Sequence, residues 1–214
     1  MIRRLGFFGF AVALTGAIVA ASASAAHAVP EFKAASYPAT LTAEQVGAHE
    51  LIGNIGTTTC KKVTGHGTLA AASSALVLEP AYDECTTENG FVGVTVKVNG
   101  CKYQFRLEDL HPGDKDLATG KVDFLCPPGK VVELVMGTAC TVKIGSQEDV
   151  RFVFYKDITA AKPEHLEISM STGEISYTQS GMFCSGSFND GSLVGGLTVK
   201  ADDSDTNPTG LKFE

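Results

Sequence analysis

From about residue 40 onward, apolar and polar positions alternate with a period of two, the spacing of a strand that buries one face. The stretch VKVNGCKYQF, residues 96–105, shows the pattern clearly. Asn-Gly between alternating apolar runs predicts a type I′ turn, because both central residues then need positive φ. With Asn99 and Gly100 at the turn, Val98 pairs with Cys101, Val96 with Tyr103 and Val94 with Phe105, all on one apolar face. Lys97, Lys102, Thr95 and Gln104 fall on the wet face, where the two lysines repel mildly.

Two more segments read as amphipathic hairpins. In VVELVMGTACTVKI, pairing Met136 with Cys140 aligns Val132, Leu134, Val142 and Ile144 and sets Glu133 opposite Lys143. In HLEISMSTGEISYT, a turn at Thr172-Gly173 aligns Leu166, Ile168 and Met170 with Ile175 and Tyr177, leaving Glu167, Ser169, Ser176 and Thr178 outside. Further strands are predicted at TTTCKKV, ALVLE, KVDFLC, VRFVFY and SLVGGLTVK, which are rich in β-branched and aromatic residues and are punctuated by Gly, Pro, Asn and Asp. Residues 41–49, LTAEQVGAH, are the one place for a helical turn or two, and residues 107–120, LEDLHPGDKDLATG, read as a polar loop. The fold class is therefore all-β: a single antiparallel barrel or sandwich of roughly a dozen strands.

The first 28 residues break the pattern. Arg3 and Arg4, an apolar run from Leu5 to Ala20, and then small residues form the layout of a secretory signal peptide. Ala26-His27-Ala28 fits the cleavage rule, with Val29 as the new N-terminus; Ala23-Ser24-Ala25 is the alternative, leaving Ala26. Residues 29–214 are then one secreted domain, extracellular or in the cell envelope, with no transmembrane segment after cleavage.

That compartment changes the reading of the cysteines. Cys60, Cys85, Cys101, Cys126, Cys140 and Cys184 are even in number, lie after the leader, and lack a C-x-x-C pair. They read as disulfides. Cys101 begins one predicted strand and Cys126 ends the next, so they adjoin in an antiparallel meander. The same sequential logic gives Cys60–Cys85 and Cys140–Cys184; Cys101–Cys140 is the rival pairing, because both residues come directly after equivalent turns.

The quoted strands, with LVLEPAYDEC, CPPGKVVELV, EISYTQSG and GSLVGGLTVKADD, resemble a set of uncharacterised secreted six-cysteine proteins of soil actinobacteria. That resemblance implies export, disulfides and an all-β fold, and it carries no assigned activity.

Charge and motifs narrow the chemistry. Lys and Arg number 17 against 24 Asp and Glu, and loss of the leader removes two arginines and no acid. An acidic surface argues against nucleic acid or an anionic membrane as partner. The G-x-S-x-G, H-E-x-x-H and P-loop spacings are absent. His49, His66, His111 and His165 are scattered and read as surface or loop residues, with His66 between glycines at a turn. Glu108-Asp109, Asp114 and Asp116 fall in the polar loop as solvated carboxylates. Asp203, Asp205 and Asn207 repeat every second residue, like the first ligands of a calcium loop. Pro208 stands where such a loop needs Gly, and a polar hairpin loop accounts for the segment equally. No catalytic residue and no cofactor is assigned. The expectation is a non-enzymatic domain with a binding or structural role; a β-barrel carrier of a small apolar ligand and a secreted hydrolase are the alternatives.

Overall fold

The period-two alternation becomes fourteen strands among residues 29–88 and 92–214, which a computed structural model describes. The signal peptide expected over residues 1–28 lies outside the described residues. The first four strands are β1 (Phe32–Ala34), β2 (Ala39–Gly53), β3 (Gly56–Leu69) and β4 (Ala75–Thr87). Five shorter ones come next: β5 (Gly93–Lys97), β6 (Lys102–Leu110), β7 (Leu117–Leu125), β8 (Val132–Met136) and β9 (Cys140–Ile144). The last five are β10 (Gln147–Ile158), β11 (His165–Ser180), β12 (Ser185–Asp202), β13 (Pro208–Thr209) and β14 (Leu211–Phe213). All pairings are antiparallel. No described helix is long and apolar enough to cross a membrane.

Eight strands close a barrel in the order β2-β3-β4-β6-β7-β10-β11-β12 and back to β2. The architecture is a barrel, not a sandwich. Long strands let the sheet fork. β4 pairs with β6 through Ala75–Leu78 and with β5 through Cys85 and Thr86. β11 likewise pairs with β10 through His165–Met170 and with β9 through Thr178–Ser180. Thus β6, β7 and β10 close one half of the barrel, while β5, β8 and β9 close the other around the same long strands.

The fork corrects the first hairpin. The Asn99-Gly100 turn forms, with positive φ at both residues and a 2.8 Å bond from Cys101 N to Val98 O. Its strands then part: Val96 pairs with Leu134 and Tyr103 with Phe124, not with one another. Local sequence sets a turn, but distant strands compete for the segments on either side of it. Parting also separates the two lysines, and Lys97 comes opposite Glu133.

The Thr172-Gly173 hairpin is likewise corrected. β11 runs straight through, and its register on β12 slips between Thr172 and Ile175, with Glu174 at positive φ. A bulge shifts the alternation by one residue just as the expected turn would, so burial passes from Leu166, Ile168 and Met170 to Ile175 and Tyr177 in either case. Residues 41–49 are strand, not helix, with Leu41 and Ala43 inside and Gly47 at positive φ where the pairing is interrupted. The polar loop shrinks to a turn between Leu110 and Leu117. The Met136–Cys140 hairpin has the expected register, with Glu133 opposite Lys143 and a 3.6 Å ion pair between them.

The core fills the interior of both halves, from Phe105, Val122, Leu166 and Val199 in one to Leu134, Val142 and Ile175 in the other. Three disulfides bind it: Cys60–Cys85 across β3 and β4, Cys101–Cys126 across the ends of β6 and β7, and Cys140–Cys184 between the β8–β9 and β11–β12 turns. This is the sequential pairing; the Cys101–Cys140 rival is not formed.

Candidate functional site

The two ends of the barrel differ. One is covered by the two-stranded sheet of β1 and β14, whose Phe32, Leu211 and Phe213 are buried. Phe32 packs edge-on against Tyr155, and the Phe213 N–H donates to both oxygens of the buried Asp157 at 3.2 Å. Leu211 N donates to Glu164 O and Phe32 N to Ser73 O, so the cover is tied to the turns around it.

At the opposite end lies an apolar pocket with a cavity volume of about 30 Å³. Leu51, Leu134, Met136, Ile144 and Ile175 form much of its wall, and the β2–β3 turn forms its lip with the partly exposed Ile52 and Ile55. Alternation puts these side chains there, since they occupy inward positions of β2, β8, β9 and β11.

Tyr177 and Gln179 are the inward polar residues of β11 at this pocket. The Tyr177 hydroxyl accepts from Asn54 N at 2.7 Å and donates to Asp190 Oδ1 at 2.9 Å, and burial raises its pKa. Gly53 and Gly191 leave room for the ring; a Cβ on Gly53 would lie 3.0 Å from the Tyr177 hydroxyl. Gln179 is buried, and its Nε2 has no hydrogen-bond partner. The β11–β12 turn beyond it carries the well-exposed Met182 and Phe183, held by Cys140–Cys184 and by a 3.1 Å bond from Phe183 N to Ala139 O.

The residues singled out in sequence do not converge on this pocket. Asp203 Oδ1 accepts from Asp205 N at 2.9 Å and Asn207 N at 2.8 Å, so its carboxylate organises the β12–β13 turn, and those bonds lower its pKa. Among the described residues, no three His, Cys, Asp or Glu side chains group to hold a metal ion. Glu108 pairs with Lys121 at 2.5 Å, and Asp114 caps its own turn through Asp116 N at 3.0 Å. His66 is exposed on strand β3 and not at a turn; a Cβ on Gly67 would collide with the Val77 carbonyl. Close backbone approach is thus the reason for glycine there.

His49 reverses its sequence expectation. It is fully buried, its Nε2 lies 2.9 Å from Gly196 O, and burial lowers its pKa. Beside it Tyr82 and Tyr103 share a short hydrogen bond, and burial raises the Tyr103 pKa to about 12. This polar cluster sits inside the wall, away from the pocket lining.

Sequence reading missed Gln179, although a signal existed. It continues the Ile175–Tyr177 alternation inward, where a glutamine interrupts an otherwise apolar set. No protein-family model, curated protein or solved structure matches the chain.

Proposed function

We propose that this chain is an exported, non-enzymatic domain of the extracellular space or cell envelope that binds a partner at the uncovered end of its barrel. The observation carrying the reading is the contrast between the ends: β1 and β14 cover one, while the other presents an apolar pocket behind Ile52 and Ile55. Export is supported by the leader-like N-terminal sequence and by three disulfides, which persist in oxidising compartments.

Carriage of a large apolar ligand within the barrel fits less well. Such sites run to roughly 300–1,000 Å³, whereas this pocket measures about 30 Å³ and the interior around it is filled by side chains.

The uncharged dye Nile red, far too large to enter the pocket, tests the exposed apolar lip at its mouth. Its fluorescence should rise saturably with the secreted protein, and Ile52→Ser/Ile55→Ser should weaken binding while Phe152→Ser/Phe154→Ser on the outer wall leaves it unchanged. Equal binding by the lip variant would overturn the reading. Export is checked separately by N-terminal sequencing of protein from the medium, which should begin at Val29 or Ala26; an intact Met1 on membrane-bound protein would refute it.

A further inference from the structure

We infer that two copies of this chain join at the uncovered end, pairing their free β12 edges and seating the β11–β12 turn of each on the lip of the other. This rests on the binding-site reading above and names the partner.

An unpaired strand edge is the point of departure. From Ser192 onward β12 has β2 along one side and β11, then β13, along the other. Over residues 185–191 only the β11 side is paired among the described residues. Ser185, Gly186, Ser187, Asn189 and Asp190 are exposed there. Such an edge offers backbone N–H and C=O groups to another strand, and natural edges are commonly blocked by lysine, proline or a covering segment. Residues 185–191 contain neither lysine nor proline.

The same hairpin carries an apolar tip. Met182 and Phe183 are 76% and 80% exposed, on a turn fixed by Cys140–Cys184 and by the bond from Phe183 N to Ala139 O. A turn already fixed loses little freedom on binding. Antiparallel pairing of two β12 edges, about a two-fold axis between Ser187 and Phe188, sets Ser185 opposite the partner's Asp190. That register brings Met182 and Phe183 level with the partner's Leu193 and Ser192. Ser192 is where β12 meets Ile52 of β2, so each tip abuts the Ile52 and Ile55 lip of the other copy. Each copy supplies one tip and one lip, as a two-fold interface requires.

Charge favours a second copy as the occupant. With 24 acids against 17 Lys and Arg, two copies repel over most of their surface. Residues 51–60 and 175–189, which hold the lip, the tip and most of the free edge, contain no charged side chain. Asp190, at the end of the edge, is engaged by the Tyr177 hydroxyl and comes opposite a serine.

Sedimentation equilibrium of the intact secreted protein tests the inference. A monomer–dimer equilibrium with Kd in the micromolar range is expected, the strength of a small, transient interface. Met182→Glu/Phe183→Glu, Ser187→Lys and Ile52→Ser/Ile55→Ser should each raise Kd at least about tenfold. Phe152→Ser/Phe154→Ser on the outer wall should leave it unchanged. A dimer that any of the first three leaves intact would overturn the arrangement. A monomer at every concentration would overturn the second copy as occupant and leave the edge to a strand of another protein. If Nile red, applied below the association range, still depends on the lip in either case, the binding site stands and only the assignment fails. If Nile red does not depend on the lip, the site reading fails and the assignment with it.

Discussion

Cys101 and Cys126 are joined with their Cα atoms 4.0 Å apart, at the level where the chain passes between the two halves of the forked sheet. On one side of Cys101 the chain leads back to β5, which pairs with β8; on the other it leads into β6, which pairs with β7. Cys126 marks the reverse passage, from β7 toward β8. Asn99 Nδ2 donates to Val131 O at 2.8 Å and Cys126 N to Ser146 Oγ at 3.0 Å, so all three crossings between the halves are stitched together.

Removing that bond should loosen the seam. Cys101→Ser/Cys126→Ser should cost about 2–4 kcal/mol in denaturant unfolding, with hydrogen exchange rising first at residues 98–101 and 126–131. Non-reducing peptide mapping of the native protein should return Cys60–Cys85, Cys101–Cys126 and Cys140–Cys184. A Cys101–Cys140 peptide would contradict the forked arrangement.

The covered end should make stability depend on pH. Burial pushes the Asp157 carboxyl up to about 7, with Asp116 and Glu164 adding repulsion and the Phe213 N–H and Lys212 opposing. The folded state thus keeps a proton that the unfolded chain releases near pH ~4. Stability from this group is greatest below that pH and is lost as pH rises toward about 7. Asp157→Asn should flatten the fall across this window in melting experiments, since its side-chain oxygen still accepts from Phe213. An unchanged slope would remove Asp157 as the cause.

Gly195 makes room for His49. A Cβ on Gly195 would lie 2.6 Å from His49 Nε2, inside contact distance. Gly195→Ala should destabilise by about 1–3 kcal/mol, and by less in a His49→Ala background, since the two changes share one space. Additive losses in the double mutant would place the strain elsewhere.

Much of this fold is legible in the sequence because alternation reports directly which face is buried. Val132 to Ile144 shows it, where the pattern alone sets both the register and the cross-strand charge pair. What alternation cannot report is the partner. A bulge at Glu174 and a turn at Gly173 leave the same apolar spacing, and Asn99-Gly100 specifies a turn whichever strands its flanks later join. His49 and Gln179 were hidden for a related reason: polar residues at inward positions are read as surface until the closed barrel shows which side is inside.

The terminal aspartate loop should be indifferent to calcium. Asp203 Oδ1 already accepts the loop's own N–H groups, from Asp205 and Asn207, so its carboxylate is committed to holding the turn. The melting temperature should differ by less than about one degree between EDTA and millimolar calcium, whereas occupancy at ~100-fold above Kd would add about 2.7 kcal/mol. A rise that Asp203→Ala removes would show a calcium site.

Binding at the uncovered end is tested most directly by chemical-shift mapping of isotope-labelled protein during a Nile red titration. The account expects shifts concentrated at Ile52, Ile55, Met136, Tyr177 and Gln179, with Phe32, Leu211 and Phe213 at the covered end unmoved. Shifts centred on β1 and β14, or on Phe152 and Phe154 along the outer wall, would contradict it.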